Sequence, residues 1–237
     1  CQQAELPAGV VNILTGDGST GALIVNHPGI DKIAFTGSTE VGKIIARAVA
    51  PTNKSVTLEL GGKAANIVFD DAPIDETVEG IVNGIFFNQG HVCCAGSRLL
   101  LQENVADEVL HKLKNRMEKI RVGDPMDKNT DVGAINSKEQ LAKIVELAAA
   151  GDFEGAERWS PACNLPAKGF WFAPTIFTGV TQAHRIAREE IFGPVLSVLT
   201  FRTPQEAIEK ANNTPFGLSA GIWSEKGSRT LWASQQL

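Results

Sequence analysis

Tyrosine is missing from this chain of 237 residues, methionine occurs only twice, and aromatic residues make up 6% of it. No apolar run is long enough to cross a bilayer, and no charged start followed by an apolar core marks a secretory leader. A membrane partner is therefore not expected. Cysteine is scarce as well: Cys1, Cys93, Cys94 and Cys163 show none of the spacings of a disulfide framework, and a chain of this size needs no stapling. That composition fits a reducing, cytoplasmic setting. There is no CxxC or HxxxH motif, and adjacent cysteines share awkward directions for one ion, so no metal is expected. Acidic residues outnumber basic ones by 27 to 22, giving a formal charge of −5. Lys and Arg are scattered, without the interleaved aromatics of a base-stacking groove, and nucleic acid is discounted as a partner.

What the chain does contain is alternation. Short branched segments bounded by Gly, Pro or Asp predict strands at Val10 to Leu14, Lys32 to Thr36, Val56 to Leu60 and Ala65 to Phe69. Between the second and third, Val41, Ile44, Ile45 and Val49 recur at helical spacing after the turn Gly37 to Gly42. Gly16 to Gly21 reads as a plain surface loop. Ile74 to Phe87 is a helix with one apolar face, Arg98 to Gln102 a strand, and Val105 to Ile120 an amphipathic helix. Leu141, Ile144, Val145 and Ala148 predict another helix, opened by Ser137 with Gln140 as a capping box. Asp152 to Lys168 is the least periodic stretch and is expected to be an exposed connection. Strands at Thr175 to Phe177, Val195 to Phe201 and Ser219 to Trp223 follow, with helices near Ala183 to Glu189 and at Pro204 to Asn212. The last is capped by Thr203, with Pro204 first and Glu206 third. The chain is expected to end at Ala233 to Leu237 in mid-helix. Alternating strands and helices define the α/β class.

The chemically richest stretch is Phe86-Phe87-Asn88-Gln89-Gly90-His91-Val92-Cys93-Cys94-Ala95-Gly96-Ser97-Arg98. A buried cysteine is ordinarily a small hydrophobe. Here Gly90 and Gly96 permit close backbone approach, and the loop offers amides that suit a thiolate or a developing oxyanion. Cys1 and Cys163 read as bystanders. Glu59 stands between Leu58 and Leu60, before Gly61-Gly62, at the C-terminal end of a strand where an acid or base is often mounted; a solvated surface carboxylate is the plainer reading. In Glu189-Glu190-Ile191-Phe192-Gly193-Pro194, two carboxylates precede an aromatic on a rigid turn, which suits a planar ligand. The turn Gly37 to Gly42 lacks a full GxGxxG or GK[ST] pattern, yet a turn feeding a helix N-terminus exposes amides that suit phosphate.

Taken together, the cysteine loop, Leu58-Glu59-Leu60-Gly61-Gly62-Lys63, Phe35-Thr36-Gly37-Ser38-Thr39-Glu40-Val41-Gly42, Glu190-Ile191-Phe192-Gly193-Pro194-Val195 and Asn213-Thr214-Pro215-Phe216-Gly217-Leu218 resemble the NAD(P)-dependent aldehyde dehydrogenase family, in that family's order. The resemblance covers practically the whole chain. It implies an aldehyde dehydrogenase-like fold, a partial Rossmann-type cofactor domain followed by an α/β catalytic domain. The corresponding expectation is a C-terminal part of the dinucleotide-binding domain at 1–88, a catalytic domain at 89–220 and a truncated return segment at 221–237. By the same resemblance Cys93 attacks the aldehyde carbon, hydride leaves for the nicotinamide of NAD or NADP, and water activated by Glu59 hydrolyses the thioester. The Cys93 amide forms part of the oxyanion hole. Glu190 holds the nicotinamide ribose and Phe192 flanks it; Gly37, Ser38 and Val41 lie under the pyrophosphate, Pro7 borders the adenine side, and Leu60 and Gly61 pass near the nicotinamide.

The sequence departs from the family at His91, where glutamine is usual; His91 reads either as a group that lowers the thiol pKa when charged or as a space-filler, and is not expected to be the catalytic base. A large N-terminal part and the C-terminal strand and oligomerisation arm of a typical member are also absent, so the chain is expected to be a fragment of a parent homodimer or homotetramer. A second reading makes it a catalytically inactive fragment or interaction module. A third, a phosphate-forming or CoA-acylating relative, is disfavoured by the hydrolytic base Glu59. Trp171 and Phe172 read either as tunnel-mouth residues or as core aromatics.

Overall fold

In the computed structural model, which describes residues 1–237, the branched segments pair into two sheets that belong to separate units, Cys1–Leu60 and Gly61–Leu237. In the first unit, helix α1 (Gly18–Asn26) precedes strand β1 (Lys32–Thr36), helix α2 (Thr39–Val49) and strand β2 (Ser55–Glu59). β1 and β2 run parallel, with Lys32 opposite Ser55 and Thr36 opposite Glu59. Ile33, Ile45 and Val49 form the small core, with Val25, Phe35 and Leu58 packed against it.

Two expectations fail in this unit. Val10 to Leu14 is not a strand; its apolar side chains are exposed and no strand pairs with it. Branched residues favour the extended state only where a neighbour supplies a ladder. Gly16 to Gly21 is not simply a loop either. The Asp17 carboxylate accepts from Ser19 N at 2.8 Å, and this N-cap starts α1 despite its glycines.

The second unit is built around a six-stranded sheet. Its strands are β3 (Ala65–Val68), β4 (Arg98–Gln102), β5 (Glu157–Trp159), β6 (Thr175–Thr178), β7 (Val195–Phe201) and β8 (Ala220–Trp223), in the spatial order β5-β6-β7-β4-β3-β8. Only the β5–β6 pair is antiparallel. The helices are α3 (Ile74–Phe86), α4 (Glu103–Met117), α5 (Lys138–Phe153), α6 (Arg185–Arg188), α7 (Pro204–Asn212) and α8 (Gly227–Ser234). Strand alternation sends successive residues to opposite faces. Leu99 and Leu101 of β4 join Ile81, Ile85, Val109 and Leu113 from α3 and α4 in one core cluster. Leu100 turns the other way, toward Ile144, Leu147, Ile186 and Ala207 from α5, α6 and α7. Each fully buried Leu or Ile contributes about 1.5–3 kcal/mol, so the parallel core is held from both faces.

The two units part at Leu60 and Gly61. β3 lies between β4 and β8, so the chain from Gly61 onward shares one sheet with the strand that follows the cysteine loop. The stretch after Asp152 contains β5, a short polar edge strand that periodicity does not reveal. The expected helix starts at Ser137 and Thr203 are present, the hydroxyls accepting from Gln140 N at 3.1 Å and Glu206 N at 3.2 Å.

Candidate functional site

Four segments of the second unit meet at the end of the sheet where parallel strands begin: the residues before β3, the cysteine loop before β4, the turn before β7 and the residues before β8. α3 delivers the chain to this edge. It ends at Phe86, and Asn88, Gln89 and Gly90 then take left-handed φ values of 49°, 47° and 75°. For the two residues with a side chain this costs about 1–2 kcal/mol each, and the turn re-aims the backbone so that Val92-Cys93-Cys94 faces the neighbouring loops. The loop is then fastened by Ala95 N to Val92 O at 3.0 Å, Gly96 N to Gly84 O at 3.1 Å and Arg98 N to Ala64 O at 3.0 Å.

Cys93 is half-buried and Cys94 exposed. The backbone amides of both donate to no protein acceptor, so this small-residue loop presents free N–H groups beside a thiol. Gly62 packs against the Cys93 carbonyl so closely that a Cβ there would collide with it. Its amide donates to Glu190 Oε1 at 2.9 Å. Gly61 lies against the same carboxylate, and Gly90 against the Gly193 carbonyl, each without room for a side chain. Ser219 Oγ reaches the Cys94 carbonyl at 3.4 Å. Phe192 sits at φ 54°, in the left-handed region, and stacks on His91 with ring centroids 5.3 Å apart and planes 10° apart.

The sequence does not reveal what two supporting residues do. Gln140 does not complete a capping box; its Nε2 instead donates to the Ile191 and Phe192 carbonyls, both at 2.9 Å. The Ser-x-x-Gln pattern gave no hint of this, because the partner is more than fifty residues away. Lys63 was also passed over. It is 2% exposed, its Nζ has no partner, and burial, reinforced by the nearby Arg98 charge, lowers its pKa to about 7. Arg98 itself donates to the carbonyls of Lys63, Lys210 and Ala211 at 2.8, 2.9 and 2.8 Å. A cavity of about 330 Å³ lies beside these two residues, bordered by Ala211, Phe216 and Ser219. Phe172 packs against the core, while Trp171 is half-buried and donates to the Lys168 carbonyl at 2.6 Å.

The first unit holds the remaining candidates. Ser38 caps α2, its hydroxyl accepting from Val41 N at 3.3 Å, and Gly37 N donates to the Glu59 carbonyl at 3.0 Å. Glu59 ends β2 and is exposed. Leu60 presses on Gly42 with no space for a Cβ. Pro7 is an exposed turn residue whose carbonyl accepts from Val10 N at 3.3 Å. Between α1, β1 and α2 runs a mainly apolar groove of about 600 Å³, bordered by Ala22, Val25, Phe35, Val41, Ile44 and Ile45. It adjoins the α2 N-terminus, where helix geometry leaves amides for an anion.

Fold and site together define an α/β chain that displays a thiol on a glycine-clamped loop and, in a separate unit, an apolar groove next to a helix N-terminus. The chain belongs to the aldehyde dehydrogenase family, whose profile matches residues 1–237. It is 48% identical over 238 aligned residues to retinal dehydrogenase 2 of Homo sapiens, covering 100% of this chain and 46% of that protein. It is 46% identical to cytosolic aldehyde dehydrogenase 1 of Rattus norvegicus, covering 48% of it. Among solved structures, an NAD-dependent aldehyde dehydrogenase from Sinorhizobium meliloti superimposes with a TM-score of 0.96 at 42% identity, over 100% of this chain and 47% of that one. The chain spans about half the length of the relatives it matches. No helix is long and apolar enough to cross a membrane.

Proposed function

We propose that this chain is the nucleophile-bearing part of an NAD(P)+-dependent aldehyde dehydrogenase that converts an aldehyde to a carboxylic acid. The observation that carries the reading is the half-buried Cys93 thiol on a loop with free amides, pinned by Gly62 and the Glu190 turn. The Cys93 thiolate adds to the aldehyde carbon, forming a C–S bond and moving the carbonyl electron pair onto oxygen. The Cys93 amide donates to that oxygen and stabilises the developing charge. A nicotinamide cofactor, which Glu190 and Phe192 would hold, would supply the acceptor for the hydride lost from that carbon. Cys93 then carries a thioester. Glu59 takes a proton from water, whose oxygen attacks the thioester carbon; the C–S bond breaks, the acid departs and the thiolate returns.

The first unit fits the cofactor's remaining parts. The apolar groove has the size and lining for an adenosine, and Gly37, Ser38 and Val41 would hold the pyrophosphate at the α2 N-terminus. Glu190 and Phe192 would hold the nicotinamide ribose, with Leu60 and Gly61 near the ring and Pro7 on the adenine side. The parent protein would be cytoplasmic and assemble as a homodimer or homotetramer, like the family it belongs to. The test is aldehyde-dependent NADH or NADPH formation by the full-length protein carrying this chain. Activity present in the wild type and lost in Cys93→Ala supports the reading; a wild type that forms no reduced cofactor with any of a panel of aldehydes overturns it.

A further inference from the structure

His91 occupies a position where hydrogen bonding fixes its chemical form. Its own carbonyl accepts from Asn88 Nδ2 at 3.1 Å, so the Asn88 amide nitrogen must face it. Asn88 Oδ1 then faces Gln89, and Gln89 Nε2 donates to it at 3.1 Å. The same Gln89 nitrogen lies 3.3 Å from His91 Nδ1 and donates there too. Nδ1 is therefore an acceptor, and the proton of the neutral ring sits on Nε2. Nε2 is buried and has no partner. Burial also lowers the His91 pKa, which agrees with a neutral imidazole. A ring with one nitrogen occupied and the other enclosed cannot collect a proton from Cys93 or from water.

What the ring does offer is a flat face. It lies within 10° of parallel to Phe192, at a centroid separation of 5.3 Å. Phe192 holds a left-handed backbone at φ 54° and is only half-buried. Gln140 fixes the carbonyls of Ile191 and Phe192, but the aromatic ring beyond that backbone lies against His91. The left-handed turn at Asn88, Gln89 and Gly90, with Gly90 packed on the Gly193 carbonyl, brings the imidazole to that place.

We infer that His91 is a positioning residue: its neutral imidazole stacks on Phe192 and holds that ring flat as a preformed wall for the cofactor. This rests on the proposed function, and deepens it by assigning His91 to cofactor affinity rather than to activation of the thiol. Without the stack the Phe192 ring gains rotamers that binding must freeze out, so affinity falls while the cysteine loop is unaltered.

The experiment uses the full-length protein in wild-type, His91→Ala, His91→Phe and His91→Gln forms. Three quantities are read: NAD+ affinity by titration without aldehyde, alkylation of Cys93 by iodoacetamide, and aldehyde-dependent NADH formation. His91→Ala should weaken NAD+ binding about three- to tenfold, the worth of one aromatic pair. His91→Phe, which keeps the flat face but no ring nitrogen, should restore affinity to within about twofold of wild type, since stacking alone is responsible. His91→Gln fills the space without a ring and should resemble alanine, which keeps the test open if the alanine protein does not fold. Alkylation of Cys93 should proceed at the wild-type rate in all variants that fold. Wild-type NAD+ affinity in His91→Ala or His91→Gln, or a phenylalanine variant as weak as these, would overturn the inference. A wild type that binds neither NAD+ nor NADP+ and forms neither NADH nor NADPH would overturn the functional reading instead.

Discussion

The backbone amide of Gly62 donates to Glu190 Oε1 at 2.9 Å, joining the residues that enter β3 to the turn that enters β7. Because Gly62 also packs on the Cys93 carbonyl, one glycine fixes the cysteine loop and the Glu190 carboxylate relative to each other. The arrangement sits where the parallel strands of this unit begin, opposite to the carboxyl-end crevice usual in open α/β sheets.

Gly62→Ala tests that joint directly. Its methyl would collide with the Cys93 carbonyl, and overpacking of this kind costs about 1–3 kcal/mol. The expected result is lower thermal stability together with slower alkylation of Cys93 by iodoacetamide. Stability lost with no change in the alkylation rate would mean that the loop does not depend on this contact.

Glu190 has two separable contributions. Glu190→Gln keeps an acceptor for Gly62 N and should leave stability near wild type, whereas Glu190→Ala leaves a partly buried amide unpaired at a cost of about 1–3 kcal/mol. Both should weaken NAD+ binding if the carboxylate holds the nicotinamide ribose. Denaturation and NAD+ titration of the same two variants separate the effects, and unchanged NAD+ affinity in both would remove Glu190 from the cofactor site.

Lys63 makes stability depend on pH in a defined direction. Its folded pKa is lowered to about 7 from 10.5, chiefly by burial. Between those values the unfolded chain binds more protons than the folded one, so stability rises with pH across that window. Lys63→Met removes the group. Its stability advantage over wild type should be largest below pH 7 and should shrink as pH rises toward 10. Denaturant titrations at a series of pH values measure this, and a difference that stays constant would contradict it.

Arg98 is 3% exposed and its guanidinium serves three carbonyls on two segments. Lysine cannot span them. Arg98→Lys should lower stability by about 2–4 kcal/mol, since bonds from a charged donor are worth about 1.5–3 kcal/mol each and part of the loss is recovered by water. Chemical denaturation provides the measurement.

Much of this architecture was legible because the signals are local. Leu99, Leu100 and Leu101 bounded by Arg98 and Gln102 read as a strand, and Thr203-Pro204-Gln205-Glu206 reads as a helix start; both occur. Val10 to Leu14 misled because a branched run carries no information about whether a partner strand exists. α1 was hidden by Gly16, Gly18 and Gly21, whose turn signal outweighs the Asp17 cap in any local reading. The cysteine loop was visible as composition, and the family profile over residues 1–237 supports the resemblance drawn from it. Its left-handed turn at Asn88 and Gln89 was not visible, because glutamine has no preference for that region and the strain is carried by contacts distant in sequence. Gln140 and Lys63 were missed for the same reason: their significance lies in partners, or in the lack of one, that only folding creates.

The most direct test of the central claim is peptide mapping by mass spectrometry of the full-length Glu59→Gln protein, quenched after mixing with an aldehyde and NAD+. Loss of the proposed hydrolytic base should let the acyl-enzyme accumulate, and the acyl mass should reside on Cys93 and be absent from Cys94. An acyl group on Cys94, or NADH formed with neither cysteine modified in a Cys93→Ala control that remains active, would contradict the account.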